Sequence, residues 1–248
     1  MAPEVPVSRG SPILLDCLTC PTRRTAEWNV LQDQDMSEMS SVKTSRRYSR
    51  GEFVYRQGQP CSGIYCMAAG TVAVRRSEPA LPTVLVRLSF AGQTLGYRGI
   101  LEGVNCSGDA KVLEPSVVCH LETALVQRML RRHRALALQF QAHLAADLDA
   151  TEVGLAQVAW LSVRSRVARL IIDLIEHHGL ATGGNGPLEL SLPMTRRDMA
   201  ELLCTRPETL TRALQAMEGD GLLRNAGHRI AVPDLPRLRA EASPNLLA

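Results

Sequence analysis

The stretch Met194-Thr-Arg-Arg-Asp-Met-Ala-Glu-Leu-Leu-Cys-Thr-Arg-Pro-Glu-Thr-Leu-Thr-Arg-Ala-Leu-Gln-Ala-Met-Glu218 holds two helix starts about ten residues apart. Thr195 with Asp198, and Thr205 with Glu208, have the spacing at which a hydroxyl and an acid satisfy each other's unpaired backbone donors at a helix N-terminus. Pro207 sits in the first turn, where a proline costs little because its missing N–H would have no partner anyway. Two short helices joined by a tight turn form a helix-turn-helix. Cys204, between them, is expected to be a small buried residue.

The second helix separates into two faces. Leu210, Leu214 and Met217 form an apolar stripe, while Glu208, Thr211, Arg212 and Gln215 stand at i, i+3, i+4 and i+7 on another side. Arginine can donate two bonds to guanine O6 and N7, and a carboxylate can accept from cytosine N4, so Glu208 and Arg212 suit major-groove readout. The plainer reading makes Glu208 a cap and Arg212 its i+4 ion-pair partner. Gly221 to Val232 follows with a hairpin pattern turning at Asn225 to Gly227. A hairpin directly after a helix-turn-helix suggests a winged variant that binds double-stranded DNA. The expected contact set is Thr195, Arg196, Thr205, Arg206, Glu208, Thr211, Arg212 and Gln215.

Upstream, Arg164 to His177 reads as a helix with Val167, Leu170, Ile171, Leu174 and Ile175 on its apolar face, broken by Thr182 to Pro187. A longer helix is expected from His133 to Ser162. Its Leu144, Leu148, Thr151, Leu155 and Val158 recur at steps of three or four, the spacing of a seam between two helices. The alternative is a helix lying on the core of its own domain. From Tyr48 to about Leu121, short apolar runs alternate with glycines: Glu52–Tyr55, Gly63–Met67, Thr71–Val74, Thr83–Leu88 and Ser116–Leu121. That pattern fits an antiparallel β-roll or barrel.

The chain has 248 residues, 45% of them hydrophobic, enough for a sizeable core or two modest domains. A net charge of +3 names no partner, because where basic groups sit matters as much as their sum. No window is long and apolar enough for a membrane span, and the first sixteen residues lack a signal-peptide pattern, so a cytoplasmic location is expected. Seven cysteines (17, 20, 61, 66, 106, 119 and 204) are too reduced in that compartment to form a disulfide framework, leaving metal binding, redox sensing or burial. No Ser/His/Asp arrangement, phosphate loop or catalytic carboxylate pair argues for an enzyme.

Thr205 to Arg212 resembles the recognition-helix start of the Crp/Fnr family of bacterial transcription regulators, and Glu208 and Arg212 match its Glu-x-x-x-Arg pair. Gly51-Glu52, Gly58, Tyr65 and Gly70-Thr71-Val72 resemble the glycine and aromatic pattern of its sensor domain. The resemblance covers roughly residues 45 to 235. It implies an α+β chain: an N-terminal cysteine-containing segment (1–44), a cyclic-nucleotide-binding-like β-roll (45–125), a helical connector with the dimerisation helix (126–162) and a winged helix-turn-helix (163–240). It also implies a homodimer on a two-fold DNA site, regulating through RNA polymerase; two recognition helices one DNA turn apart require two linked subunits. Within the Fnr branch the Glu-x-x-Ser-Arg reader resembles Glu208, Thr211 and Arg212, implying a TTGAT-like half-site. Threonine replaces the serine here and adds a methyl group.

Family members that bind cyclic nucleotide carry a glutamate and an Arg-Ser pair in the loop that reads Gly92 to Gly99 here. Tyr97 occupies the glutamate position and no Arg-Ser follows, so cyclic nucleotide is not expected. Fnr-type sensors instead hold an iron–sulfur cluster, a four-iron, four-sulfur one by resemblance, with N-terminal cysteines and one from the β-roll. Cys17 and Cys20 resemble part of the first group, and Cys119 in Ser116-Val-Val-Cys119 resembles the distant ligand. The third N-terminal cysteine is missing. Cys106 is the first candidate for the fourth ligand, with Cys61, Cys66 and Asp16 as alternatives. A lone C-x-x-C equally suits a thiol redox pair, and haem or another small ligand stays open. His120, His133 and His143 have no paired ligand spacing.

Overall fold

The computed structural model describes residues 10–80, 82–178 and 187–243, which form two compact units, one up to Ala146 and one from Asp147. The turn expected over Thr182 to Pro187 lies outside the described residues except for Pro187. Among the described residues no helix is long and apolar enough to cross a membrane.

The first unit runs β1 (Ser11–Ile13), a short 3-10 helix (Glu27–Val30), α1 (Asp33–Val42), β2 (Thr44–Tyr48), β3 (Phe53–Tyr55), β4 (Gly63–Ala69), β5 (Val72–Arg76), β6 (Val84–Ser89), β7 (Thr94–Leu95), α2 (Tyr97–Glu102), β8 (Asp109–Val112), β9 (Ser116–Glu122) and α3 (Thr123–Arg132). α4 (Arg134–Trp160) continues from this unit into the next. One antiparallel sheet has the order β1-β2-β9-β4-β7 and the other β3-β8-β5-β6. Their inward residues, including Tyr48, Val54, Met67, Val72, Leu95, Val112 and Val118, fill the roll. Outside it, the 3-10 helix, α1, α2, α3 and the start of α4 close a second core through Trp28, Met36, Met39, Tyr97, Val126, Met129, Leu136 and Phe140.

Gly63 shows why the roll demands glycine at one of its close approaches. A Cβ there would stand 2.1 Å from the Leu121 carbonyl oxygen across the β4–β9 ladder, so neither strand could keep its register.

The second unit continues with α5 (Val163–His178), β10 (Leu188–Ser191), α6 (Arg196–Leu202), α7 (Pro207–Gly219), β11 (Arg224–Ala226), β12 (Arg229–Val232) and α8 (Leu235–Ala242). Its sheet order is β10-β12-β11. Val167, Ile171 and Leu174 of α5 are fully buried, as their spacing predicts, in a unit whose core also includes Leu190, Met199, Leu210, Leu223 and Leu238. The hairpin turns at Gly227 and His228, slightly later than its pattern suggested, with Gly227 at φ +61.

Candidate functional site

Two places concentrate chemistry. In the second unit, α6 begins with the predicted capping box: Thr195 Oγ1 accepts from the Asp198 amide, and Asp198 Oδ2 accepts from the Thr195 amide at 2.9 Å. The corresponding box at α7 does not form. Arg206 is the N-cap, with no side-chain bond, and Pro207 is the first helical residue. Proline pushes its predecessor into extended backbone, here ψ 147 at Arg206, so the helix starts one residue later than a Thr205 cap would require. Cys204 is also corrected: it is exposed, not buried, with left-handed backbone at φ +49 in the turn.

The result is a helix with its polar face outward. Leu210, Leu214 and Met217 are buried, whereas Glu208, Thr211, Arg212 and Gln215 are exposed. Among the described residues, Glu208 and Arg212 make no ion pair with each other or elsewhere, and Thr211 bonds only back to the Pro207 carbonyl at 2.9 Å. Arg206 is exposed and Thr205 half-buried at the entry to the helix. Arg196 stands apart from this face. Its guanidinium donates to Asn225 Oδ1 and to the Gly227 carbonyl at 2.7 Å, which fastens α6 to the hairpin, and burial pulls its pKa down.

On the helix α4, the residues expected at a seam differ in exposure. Leu144 packs partly on the first unit's outer core. Leu148, Leu155 and Val158 are exposed, and Thr151 is exposed with its hydroxyl bonded to the Asp147 carbonyl at 2.8 Å.

In the first unit, Cys17, Cys20, Cys66 and Cys119 line one cavity of about 50 Å³, together with Lys43, Trp28, Met36 and Met39. Strand register explains half of that set. Cys66 of β4 faces Cys119 of β9, which faces Ser45 of β2 on its other side. Directly opposed residues on an antiparallel sheet point to the same face. Cys17 and Cys20 come from the turn before the 3-10 helix: the Cys17 amide donates to Ser40 Oγ at 3.1 Å, and Cys20 Sγ lies 3.3 Å from Thr22 Oγ1. Burial pushes the Cys17 thiol up to about 11 and raises Cys66 and Cys119, while the Lys43 ammonium pulls Cys17 and Cys119 back down. Lys43 is held by the Leu15 carbonyl and, at 3.2 Å, by Ser45 Oγ, whose oxygen lies 3.3 Å from Cys119 Sγ.

Cys106 is not brought to this cavity. Its amide and carbonyl pair with Gln59 and Gly58 at 2.9 and 2.8 Å, which turns the side chain into the core of the roll beside Cys61. Burial, then that neighbouring thiol, push it up to about 12. Among the described residues, no three His, Cys, Asp or Glu side chains are grouped so as to hold a single metal ion. The donor chemistry of the cavity still fits an iron–sulfur cluster: soft thiols, mostly apolar walls and a nearby ammonium to offset negative charge.

Sequence reasoning missed the bridge beside this cavity. Glu27 is buried and accepts from Thr94 Oγ1 at 2.7 Å, with His143 Nδ1 on its other oxygen. Burial alone would raise the Glu27 carboxyl, but these bonds more than offset it and hold it below the ordinary carboxylate range. Only the approach of the 3-10 helix to α4 makes the pair, so no local spacing could signal it. Tyr97, at the family's glutamate position, is buried, takes a bond from Arg87 at 3.2 Å and packs edge-on against His143.

Comparison with known proteins agrees with these features. Residues 45–133 match the profile of the cyclic nucleotide-binding domain, and residues 165–241 that of the Crp-like helix-turn-helix domain. The chain is 22% identical to the transcriptional activator protein FnrL of Cereibacter sphaeroides, over 93% of each chain. It is 26% identical to the CRP-like cAMP-activated global transcriptional regulator of Mycobacterium tuberculosis, over 79% of this chain and 86% of that one. Its fold superposes on FixK2 of Bradyrhizobium japonicum with a TM-score of 0.71 at 21% identity, covering 82% of this chain and 98% of the other. With a β-roll followed by helices and a winged helix-turn-helix, and with both domain profiles matched in that order, the chain belongs to the Crp/Fnr family of DNA-binding transcription regulators.

Proposed function

We propose that this regulator is a cytoplasmic homodimer that reads a two-fold operator with TTGAT-like half-sites and answers oxygen or redox state through a cysteine-held iron–sulfur cluster. The carrying observation is the outward face of α7, where Glu208, Thr211, Arg212 and Gln215 are exposed over a buried Leu210–Leu214–Met217 stripe. Packing sets the rotation of the helix, and the unpaired guanidinium and carboxylate are left for base edges. Arg206 and Thr205 at the helix entry suit phosphate contacts, as does Thr195 at the α6 N-terminus. Arg196 serves instead by holding the wing. The bound dimer would meet RNA polymerase, as the family resemblance implies.

Cys17, Cys20 and Cys119 would hold the cluster, which when bound supplies an oxidisable centre. Lys43 offsets negative charge there, and the Glu27–His143 pair ties the cysteine-bearing segment to α4, the helix that carries the dimer seam. A switch of this kind needs different contacts in its two states, and that bridge lies where such a difference would be felt.

Binding of the anaerobically purified protein to DNA with and without TTGAT half-sites, before and after air exposure, tests the reading. Arg212→Ala should lose about 1–3 kcal/mol of discrimination at one base pair per half-site while retaining binding to unrelated DNA. A uniform loss across all sequences would make Arg212 a phosphate contact and remove the readout assignment. Identical binding before and after air exposure would remove the redox control.

A further inference from the structure

The motif near the N-terminus supplies two cysteines where a third is missing, and the topology puts a different thiol in its place. A single row runs across the five-stranded sheet: Ile13, Ser45, Cys119, Cys66 and Thr94 are successive register partners on β1, β2, β9, β4 and β7. Two adjacent members of that row are cysteines, and the turn carrying Cys17 and Cys20 covers it, so that all four thiols line the same cavity. We infer that Cys66 is the fourth thiolate of the site, completing a Cys17, Cys20, Cys66 and Cys119 set for an iron–sulfur cluster. This rests on the cluster reading above.

Four thiols lining one cavity suit a multi-iron cluster. A structural zinc draws four sulfurs to about 2.3 Å from one point, and no such convergence exists among the described residues. A multi-iron cluster takes one thiolate on each of several irons, so its ligands surround a volume, as these four do.

A second, independent observation concerns Trp28. Its ring lines the same cavity, only 4% exposed, and the buried indole N–H has no acceptor but the Cys66 sulfur. It lies beside the Cys66 side chain. A thiolate accepts a hydrogen bond more strongly than a neutral thiol, so this N–H favours Cys66 as a ligating sulfur. Trp28 is therefore a positioning residue for that ligand. Each thiol gives its proton to solvent as it takes iron, and ferric and ferrous iron supplied in equal parts with sulfide give the mixed-valence core without a further oxidant.

The test compares full-length wild type with Cys66→Ser, Cys119→Ser and Cys106→Ser after anaerobic reconstitution with iron and sulfide, reading iron and sulfide per chain, visible absorption and electron paramagnetic resonance. Wild type and Cys106→Ser should hold the cluster, and Cys66→Ser and Cys119→Ser should lose it. Trp28→Phe should keep iron but lower the reduction potential, because a donor to sulfur is gone. If Cys66→Ser fails to fold by circular dichroism, alkylation of native wild type decides: stripping the cluster should expose Cys66 together with Cys17, Cys20 and Cys119 and leave Cys106 unchanged. A cluster with unchanged spectrum in Cys66→Ser, or no change in Cys66 labelling on stripping, overturns this assignment and leaves the cluster reading standing. Iron-free wild type overturns both.

Discussion

Replacing Leu155 with alanine should weaken the proposed dimer by a predictable amount. In the single chain, Leu148, Leu155 and Val158 are 58%, 68% and 43% exposed, an apolar stripe on α4 without a cover. Full burial of a leucine side chain is worth ~1.5–3 kcal/mol, so covering the exposed part of Leu155 contributes roughly 1–2 kcal/mol per subunit. Two-fold symmetry counts each substitution twice. Truncation to alanine forfeits most of that gain, so the dimer should lose ~2–3 kcal/mol, a rise in Kd of roughly 30- to 150-fold. The cost of immobilising two chains is common to both proteins and cancels in the difference. Val153 is the control: it is 44% exposed on the same helix but lies off the stripe, so Val153→Ala should leave Kd unchanged. Sedimentation equilibrium across a concentration series measures both. A Leu155→Ala constant within about threefold of wild type, below ~0.7 kcal/mol, would refute the seam. An equal loss in Val153→Ala would refute its specificity.

Two further outcomes follow from single contacts. Arg196→Ala removes the guanidinium bonds to Asn225 and Gly227 and should cost about 2–4 kcal/mol of stability, with faster hydrogen exchange in Arg224 to Val232. Arg196→Lys should not restore it, since one ammonium replaces a planar fork spanning two acceptors. Glu27 sets an acid limit: its folded pKa lies below its unfolded value, so the stabilisation is complete above the ordinary carboxylate range and is lost as pH falls through the folded value. Glu27→Gln should flatten that acid limb in thermal melts, and an unchanged limb would assign it to other carboxylates.

The second unit was the more legible. Its helix starts, apolar stripes and hairpin are short-range patterns, and the burial of Leu210, Leu214 and Met217 follows directly from their spacing. Its misreadings were local competitions: Pro207 overrode the Thr205 cap, and the tight turn held Cys204 outward in left-handed backbone. In the first unit the glycine-punctuated strands were legible, but β1, β2, β8 and α1 lacked a strong alternation, and α2 was hidden in a glycine-rich loop.

The sequence by itself determined the helices and hairpin of the DNA-binding half, the glycine-punctuated strands of the roll, and the polar face of the second helix, because periodicity and capping depend on neighbours a few residues away. It also marked Cys17, Cys20 and Cys119 as chemically interesting. What only the tertiary structure decided is which thiols share a cavity and which groups surround them. Cys66 joins Cys119 through the register of two strands more than fifty residues apart, Cys106 is turned into the roll by its pairing with Gly58 and Gln59, and Glu27 meets His143 across two helices. Those meetings are set by chain topology and core packing, for which no local spacing in the sequence carries a signal.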